Sequence, residues 1–148
     1  MSSATRLNLL RHLKAPASEA FRIVEEIERF PDFMENVTTV EVLSNDGKKK
    51  LAAWEMVIDE APLNWIEEAV YDKKKLRVDF RSTEGVFDRF DGFWQVHAKP
   101  SGCTVELQLE YEVGLPEIED IIGPILKKRL TANLELMLKC IEERAKTK

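Results

Sequence analysis

Histidine and cysteine, the residues that most often carry metal or nucleophilic chemistry, are scarce here: two of each in 148 residues. Cys103 and Cys140 lie far apart, with no C-x-x-C pair and no histidine at ligand spacing, so the sequence has no zinc or dithiol signature. Each sits among periodic apolar positions and reads as a buried thiol in a reducing cytoplasm. His12 and His97 stand alone, with no serine or cysteine partner at a recognisable spacing, and read as surface or rim residues. A glycine-rich phosphate loop, Gly-x-Ser-x-Gly and His-Glu-x-x-His are all missing. Glu84, Asp88 and Asp91 lack the spacing of a calcium loop. No metal and no cofactor are expected.

Also missing are an apolar run of about 18 residues, which argues against a membrane span, and a charged-then-apolar start in Met1–Arg6, so a cytoplasmic protein is expected. There is no basic surplus either. The net charge of −5 disfavours a nucleic-acid partner, which needs a cationic face. Lys48–Lys50 and Lys73–Lys75 are short basic runs beside turns, read as solvated hairpin tips or as docking points for an acidic protein.

What is present is globular composition, 44% hydrophobic and 33% charged, long enough for one domain spanning 1–148. Leu7, Leu9 and Leu13 alternate within Arg6–Lys14, predicting a first strand. Pro16 ends it and Ser18 is a candidate helix cap. Phe21, Val24 and Ile27 share a helical face, and Phe30-Pro31 should stop that helix. Asn45-Asp46-Gly47 predicts a hairpin joining Val37–Leu43 to Leu51–Ile58. Ala61-Pro62 should break the chain before strands at Asn64–Tyr71 and Leu76–Ser82. Gly85 and Gly92 bracket an aromatic run, and Pro100-Ser101-Gly102 marks the last turn.

Cys103–Val113 alternates apolar and polar throughout, the pattern of a strand with one buried face. After Pro116 the period becomes helical. Ile118, Ile121, Ile122, Ile125, Leu126, Leu130, Leu134, Met137, Leu138 and Ile141 predict a broad apolar stripe on one long helix lying across the sheet.

This order, with Phe30-Pro-Asp-Phe-Met-Glu-Asn-Val37 and a Gly92-Phe-Trp94 strand, resembles the START-like helix-grip superfamily over about Arg6 to Ala145. Within it the chain looks most like polyketide cyclase and aromatase proteins, with coenzyme-Q-binding START-like proteins next. The resemblance implies an α+β helix-grip fold: a curved antiparallel sheet of about six or seven strands around a long C-terminal helix, with two short helices after the first strand. It implies a cavity between sheet and helix that takes a hydrophobic small molecule or an acyl-carrier-protein-tethered polyketide. A homodimer is left open.

Trp54, Trp65, Phe80 and Trp94 fall on four successive strands and Phe33 and Met34 lie beside the small helices, so these six are the expected aromatic and apolar lining. The arginine and tyrosine that the resemblance assigns to catalysis fall at Ala69 and Val37 and are lost. On Asn64–Tyr71, alternation puts Trp65, Glu67, Ala69 and Tyr71 on one face. If that face looks inward, Glu67 becomes a candidate base of raised pKa and Tyr71 a hydrogen-bond donor to an enolate. A shifted register would instead turn Glu67 to water.

Arg81 matches a second arginine that cyclases place near the cavity, although Leu76, Val78 and Phe80 claim the buried face of its strand, so Arg81 should point outward unless a bulge intervenes. Asn133 sits among apolar helix positions and should bond either a ligand or the small-helix loop. The reaction implied is aldol cyclisation and dehydration of a poly-β-ketone, and the rival role is a carrier that performs no chemistry.

Overall fold

Strict alternation from Gly102 to Glu112 builds the last strand of the sheet. In the computed structural model, Cys103, Val105, Leu107, Leu109 and Tyr111 are buried, while the residues between them are partly exposed. The structure describes residues 4–58, 60–85, 87–114 and 116–146, with 116–119 described as backbone alone. Seven antiparallel strands follow the order β1-β7-β6-β5-β4-β3-β2. They are β1 (Thr5–Leu13), β2 (Val37–Asn45), β3 (Lys49–Ile58), β4 (Ala61–Asp72), β5 (Arg77–Gly85), β6 (Arg89–Lys99) and β7 (Gly102–Glu112). The first and last strands in sequence pair along their length, from Thr5↔Tyr111 to Leu13↔Cys103. This is the expected helix-grip fold, with α1 (Ala17–Glu25) and α2 (Phe30–Phe33) after β1 and α3 (Pro116–Lys146) closing the chain.

The β2–β3 hairpin turns where expected. Gly47 takes a left-handed φ of 96°, Asn45 Oδ1 accepts from its N–H, and Asp46 Oδ1 accepts from the N–H groups of Lys48 and Lys49. Gly92 bends the sheet. A Cβ there would run into the backbone carbonyl of Gln108 on β7, so only glycine permits this approach. Phe80 of β5 and Leu109 of β7 flank it across the sheet, and the concave face is formed around that row.

Several local expectations are corrected. Ser18 is not a cap: α1 begins directly after Pro16, whose carbonyl accepts from the N–H groups of Glu19 and Ala20. The first helix ends at Glu25, before Phe30-Pro31, and Ile27 sits in a 3-10 turn. Pro31 then helps to start α2 instead of stopping a helix, because its missing N–H is not needed in a first turn. Ala61-Pro62 lies inside β4, where Pro62 pairs opposite Val57 at a stretch that β5 does not reach.

Phe21, Ile23 and Val24 of α1 are buried, each contributing about 1.5–3 kcal/mol by burial. On α3, burial begins at Leu130 and continues through Leu134, Met137, Leu138 and Ile141. Ile121, Ile122 and Ile125 are exposed, against the expectation of one continuous core stripe, and Ile118 lies outside the residues with described side chains. Leu126, before Leu130, is partly buried against the same core.

Candidate functional site

The register of β3 against β4 sets the site. Trp54 and Trp65 are direct cross-strand partners on the concave face, and their rings stack with centroids 5.3 Å apart and planes 14° from parallel. Two residues after Trp65, Glu67 points the same way and is 5% exposed, so the inward alternative is the one realised. Its Oε2 accepts a hydrogen bond from Trp54 Nε1 at 3.0 Å. Burial pushes its carboxyl up to about 8, opposed by the nearby Trp65 and Trp54 N–H groups, which favour the anion. The Trp65 N–H lies close enough to act on the carboxylate but makes no hydrogen bond of acceptable geometry. It is a buried donor without a partner.

Around this carboxyl lies an apolar cavity of about 30 Å³, lined by Trp54, Met56, Trp65, Phe80, Phe90, Trp94, Leu107 and Leu109 from the sheet and by Leu134 and Met137 from α3. Among the described residues Glu67 is its one ionisable lining residue. Phe90 tilts onto Trp65 at 5.1 Å and Phe87 stacks on Phe90 at 5.1 Å, extending the ring cluster towards the β5–β6 connection. Phe30 of α2 meets Trp54 and Trp94 edge-on, at 5.8 and 5.9 Å. Larger hollows of about 310 and 380 Å³ open elsewhere on the surface and are lined with charged side chains such as Glu41, Glu55, Arg81 and Arg89.

The expected site residues divide into two groups. Trp54, Trp65, Glu67, Phe80 and Trp94 converge on the cavity. Phe33 and Met34 do not line it: Met34 is fully buried beneath α2, and Phe33 packs against Phe30 and carries the Arg144 guanidinium over its ring. Tyr71 is on the inward side of β4 but outside the cavity, near the hairpin tips, where Lys50 Nζ lies 4.9 Å from its ring centre. Its hydroxyl is buried without a partner, and burial, with Glu67 adding to it, pushes its pKa up.

Arg81 points outward and pairs with Glu68 at 3.1 Å, as alternation with Val78 and Phe80 requires. Asn133 bonds the small-helix loop and not the cavity: its Oδ1 accepts from Asn36 Nδ2 at 2.9 Å. Met56, Phe90, Leu107, Leu109, Leu134 and Met137 complete the lining and were not expected as site residues. For Leu107, Leu109, Leu134 and Met137 the periodicity was visible, but it marks core positions without separating lining from packing.

Residues 13–138 match the family model described as polyketide cyclase / dehydrase and lipid transport. The chain belongs to that family. Among solved structures it is similar to TTHA0849 from Thermus thermophilus, with 29% identity, a TM-score of 0.91, and coverage of 97% of this chain and 98% of that one. The Zhui aromatase/cyclase from Streptomyces sp. R1128 matches at 12% identity and TM-score 0.90, over 97% and 94% of the two chains. A START superfamily protein from Mycobacterium smegmatis matches at 20% identity and TM-score 0.82, over 96% and 97%. The last two show likeness of fold. No curated protein sequence matches the chain. Ala69 and Val37, where the family resemblance calls for arginine and tyrosine, are buried, with 1% and 2% exposure. No helix among the described residues is long and apolar enough to cross a membrane.

Proposed function

We propose that the protein binds an apolar, ketone-bearing chain beneath α3 and promotes its aldol cyclisation and dehydration, with Glu67 moving the proton. The observation that supports this is that Glu67 is, among the described residues, the single ionisable group in an otherwise apolar aromatic cavity, with one carboxyl oxygen held by Trp54. With its pKa near 8, most of Glu67 is protonated at neutral pH, and the remaining anion is a stronger base than an ordinary carboxylate. The anion takes a proton from the carbon between two carbonyls. The resulting enolate carbon forms a C–C bond to a second carbonyl carbon, and the acid form of Glu67 returns the proton to the alkoxide; the carboxylate then removes the remaining proton from the same carbon, the C=C bond forms as the C–O bond breaks, and that proton leaves with the hydroxyl as water. The unpartnered Trp65 N–H is the donor available to the developing enolate oxygen, a role the sequence had suggested for Tyr71. Cavity shape selects which carbons meet. An acyl-carrier-protein-tethered chain is the substrate form this reading favours.

The test is reconstitution with a carrier-tethered poly-β-ketone, with ring patterns read by mass spectrometry. Wild type and Arg81→Ala should give a new ring pattern, and Glu67→Gln should not. Equal product distributions and rates for wild type and Glu67→Gln would remove the carboxyl from the mechanism.

A carrier that shelters a quinone or lipid without chemistry is the second reading. It is favoured by Ala69 and Val37, which put aliphatic side chains where the resemblance implies polar catalytic groups. Saturable binding of such a ligand with unchanged chemistry would support it.

A further inference from the structure

The hydrogen bonds around Glu67 are out of balance. Trp54 Nε1 is committed to Glu67 Oε2 at 3.0 Å. Trp65 Nε1 belongs to a residue 7% exposed, lines the same cavity and donates to nothing. Among the described residues no hydrogen bond reaches Glu67 Oε1. The rest of the lining is aliphatic, aromatic or thioether and supplies no oxygen acceptor.

The protonation of Glu67 decides what this imbalance asks for. Burial pushes its carboxyl up to about 8, so the neutral acid predominates at neutral pH. With Oε2 accepting from Trp54, the proton sits on Oε1, which becomes a donor. Trp65 N–H and Glu67 O–H are then two donors within reach of one another, with no acceptor for either. Both stand on β4, and Trp54 pairs with Trp65 from β3, so the strand ladder fixes them independently of α3.

The complement of two such donors is an oxygen with two lone pairs and no proton of its own. A carbonyl has that form. An alcohol brings a proton whose one oxygen acceptor, Oε2, is already taken by Trp54. A carboxylate brings a charge into a lining that has no cation among the described residues, and a hydrocarbon leaves both donors unpaired.

We propose that Trp65 Nε1 and the Glu67 carboxyl form a two-donor site for one neutral carbonyl oxygen, which selects ketones and quinones over alcohols, carboxylates and hydrocarbons of the same shape. This site deepens the proposed reading and rests with it on the cavity as the place where ligand binds. The neutral carboxyl anchors the carbonyl, and the minority anion is the form that takes a proton.

Calorimetry on the full chain with 1-tetralone, 1-tetralol and tetralin tests the site, because these probes differ only at the oxygen. Wild type should bind the ketone about tenfold more tightly than the other two. Trp65→Phe and Glu67→Leu should each erase that preference, while Glu67→Gln, whose amide keeps a donor and an acceptor, should retain it. Tetralin binding reports whether the cavity of each variant is intact. In wild type itself, tetralone and not tetralin should move the Trp65 indole N–H resonance downfield, a readout independent of any variant. Equal affinity for the three probes, a preference that survives both Trp65→Phe and Glu67→Leu, an unmoved indole resonance, or no binding of any probe would each overturn the proposal. Preference for tetralone without ring formation from a tethered poly-β-ketone would keep the site and remove the cyclase reading; ring formation without the preference would do the reverse. Competition against tetralone assigns the source of the carbonyl: stronger displacement by 2-nonanone supports the site with a ketone chain, and by duroquinone with a quinone.

Discussion

Glu67 makes stability depend on pH in a direction opposite to that of an ordinary carboxylate. In the unfolded chain its carboxyl titrates near its ordinary 4.5, and burial raises the native value to about 8. Below pH 4.5 both states hold the proton and the native state loses nothing. Between 4.5 and 8 the unfolded chain has released a proton that the native chain keeps, so stability falls as pH rises. The slope is ~1.4 kcal/mol for each pH step, which accumulates to ~5 kcal/mol by pH 8. Local hydration of the ionised group trims this, so the expected loss is ~3–5 kcal/mol. Glu67→Gln removes the titration while keeping an oxygen to accept from Trp54 Nε1. Urea unfolding of both proteins from pH 4.5 to 9 isolates the effect, since other titrating groups are common to both. Glu67→Gln should gain on wild type with rising pH and level off above 8. A constant difference across that range would refute the argument, because it would mean Glu67 ionises in the fold as readily as in water.

Trp54→Phe keeps most of the ring packing but removes the N–H that favours the Glu67 anion, so the Glu67 pKa should rise further and stability fall by ~1–3 kcal/mol, as read by carboxyl NMR titration and urea unfolding. Gly92→Ala forces a methyl group into the Gln108 carbonyl and should cost more than ~3 kcal/mol or prevent folding, visible as loss of a cooperative thermal transition. Arg81→Ala breaks one exposed ion pair with Glu68 and should change the unfolding free energy by less than ~1 kcal/mol. Asn36→Ala removes the bond that ties the loop after α2 to Asn133 and should cost ~1–3 kcal/mol, with faster amide exchange around Asn133.

The sheet was legible because its signals are local. Alternation along Cys103–Tyr111 and the Asn45-Asp46-Gly47 turn each dictate geometry within a few residues, and both stand where expected. Proline misled twice for one reason: its missing N–H is harmless in a first helical turn and where no strand pairs on that side, and both contexts are set by tertiary structure. The α3 stripe misled because its apolar positions run all round the helix and do not form one face. At 100° per residue Ile121 lies 180° from Leu130, and the sheet meets the side of Leu130, so one is 1% and the other 76% exposed. At the site, inward alternation of Trp65, Glu67 and Ala69 could be stated only conditionally, because register depends on the pairing of Trp54 with Trp65 across β3 and β4. Arg81 shows the cost of letting a family position outweigh alternation, since its own strand pattern already turned it outward.

The size of the cavity constrains how any ligand enters. About 30 Å³ holds a water or two, whereas sites for drug-sized ligands need some 300 Å³ or more. Ligand entry must therefore separate groups that now touch, and the two sides of the cavity differ in how easily they part. On the sheet side, Trp54, Trp65 and Phe90 are rigid rings on strands hydrogen-bonded to their neighbours, and moving them breaks ladder bonds as well as stacking. On the helix side, Leu134 and Met137 contribute flexible aliphatic chains from a helix that lies over the sheet without ladder bonds to it. Movement of α3 away from Trp54 and Trp65 is the less costly route, and the Asn36–Asn133 bond beside Leu134 and the Arg11–Glu142 ion pair to β1 are polar contacts that must stretch or break as it moves. Opening would also admit water to Glu67, lowering its pKa towards the ordinary value. Release of the proton is then coupled to exposure of the cavity, and closure over an apolar chain restores the basicity that the proposed chemistry requires.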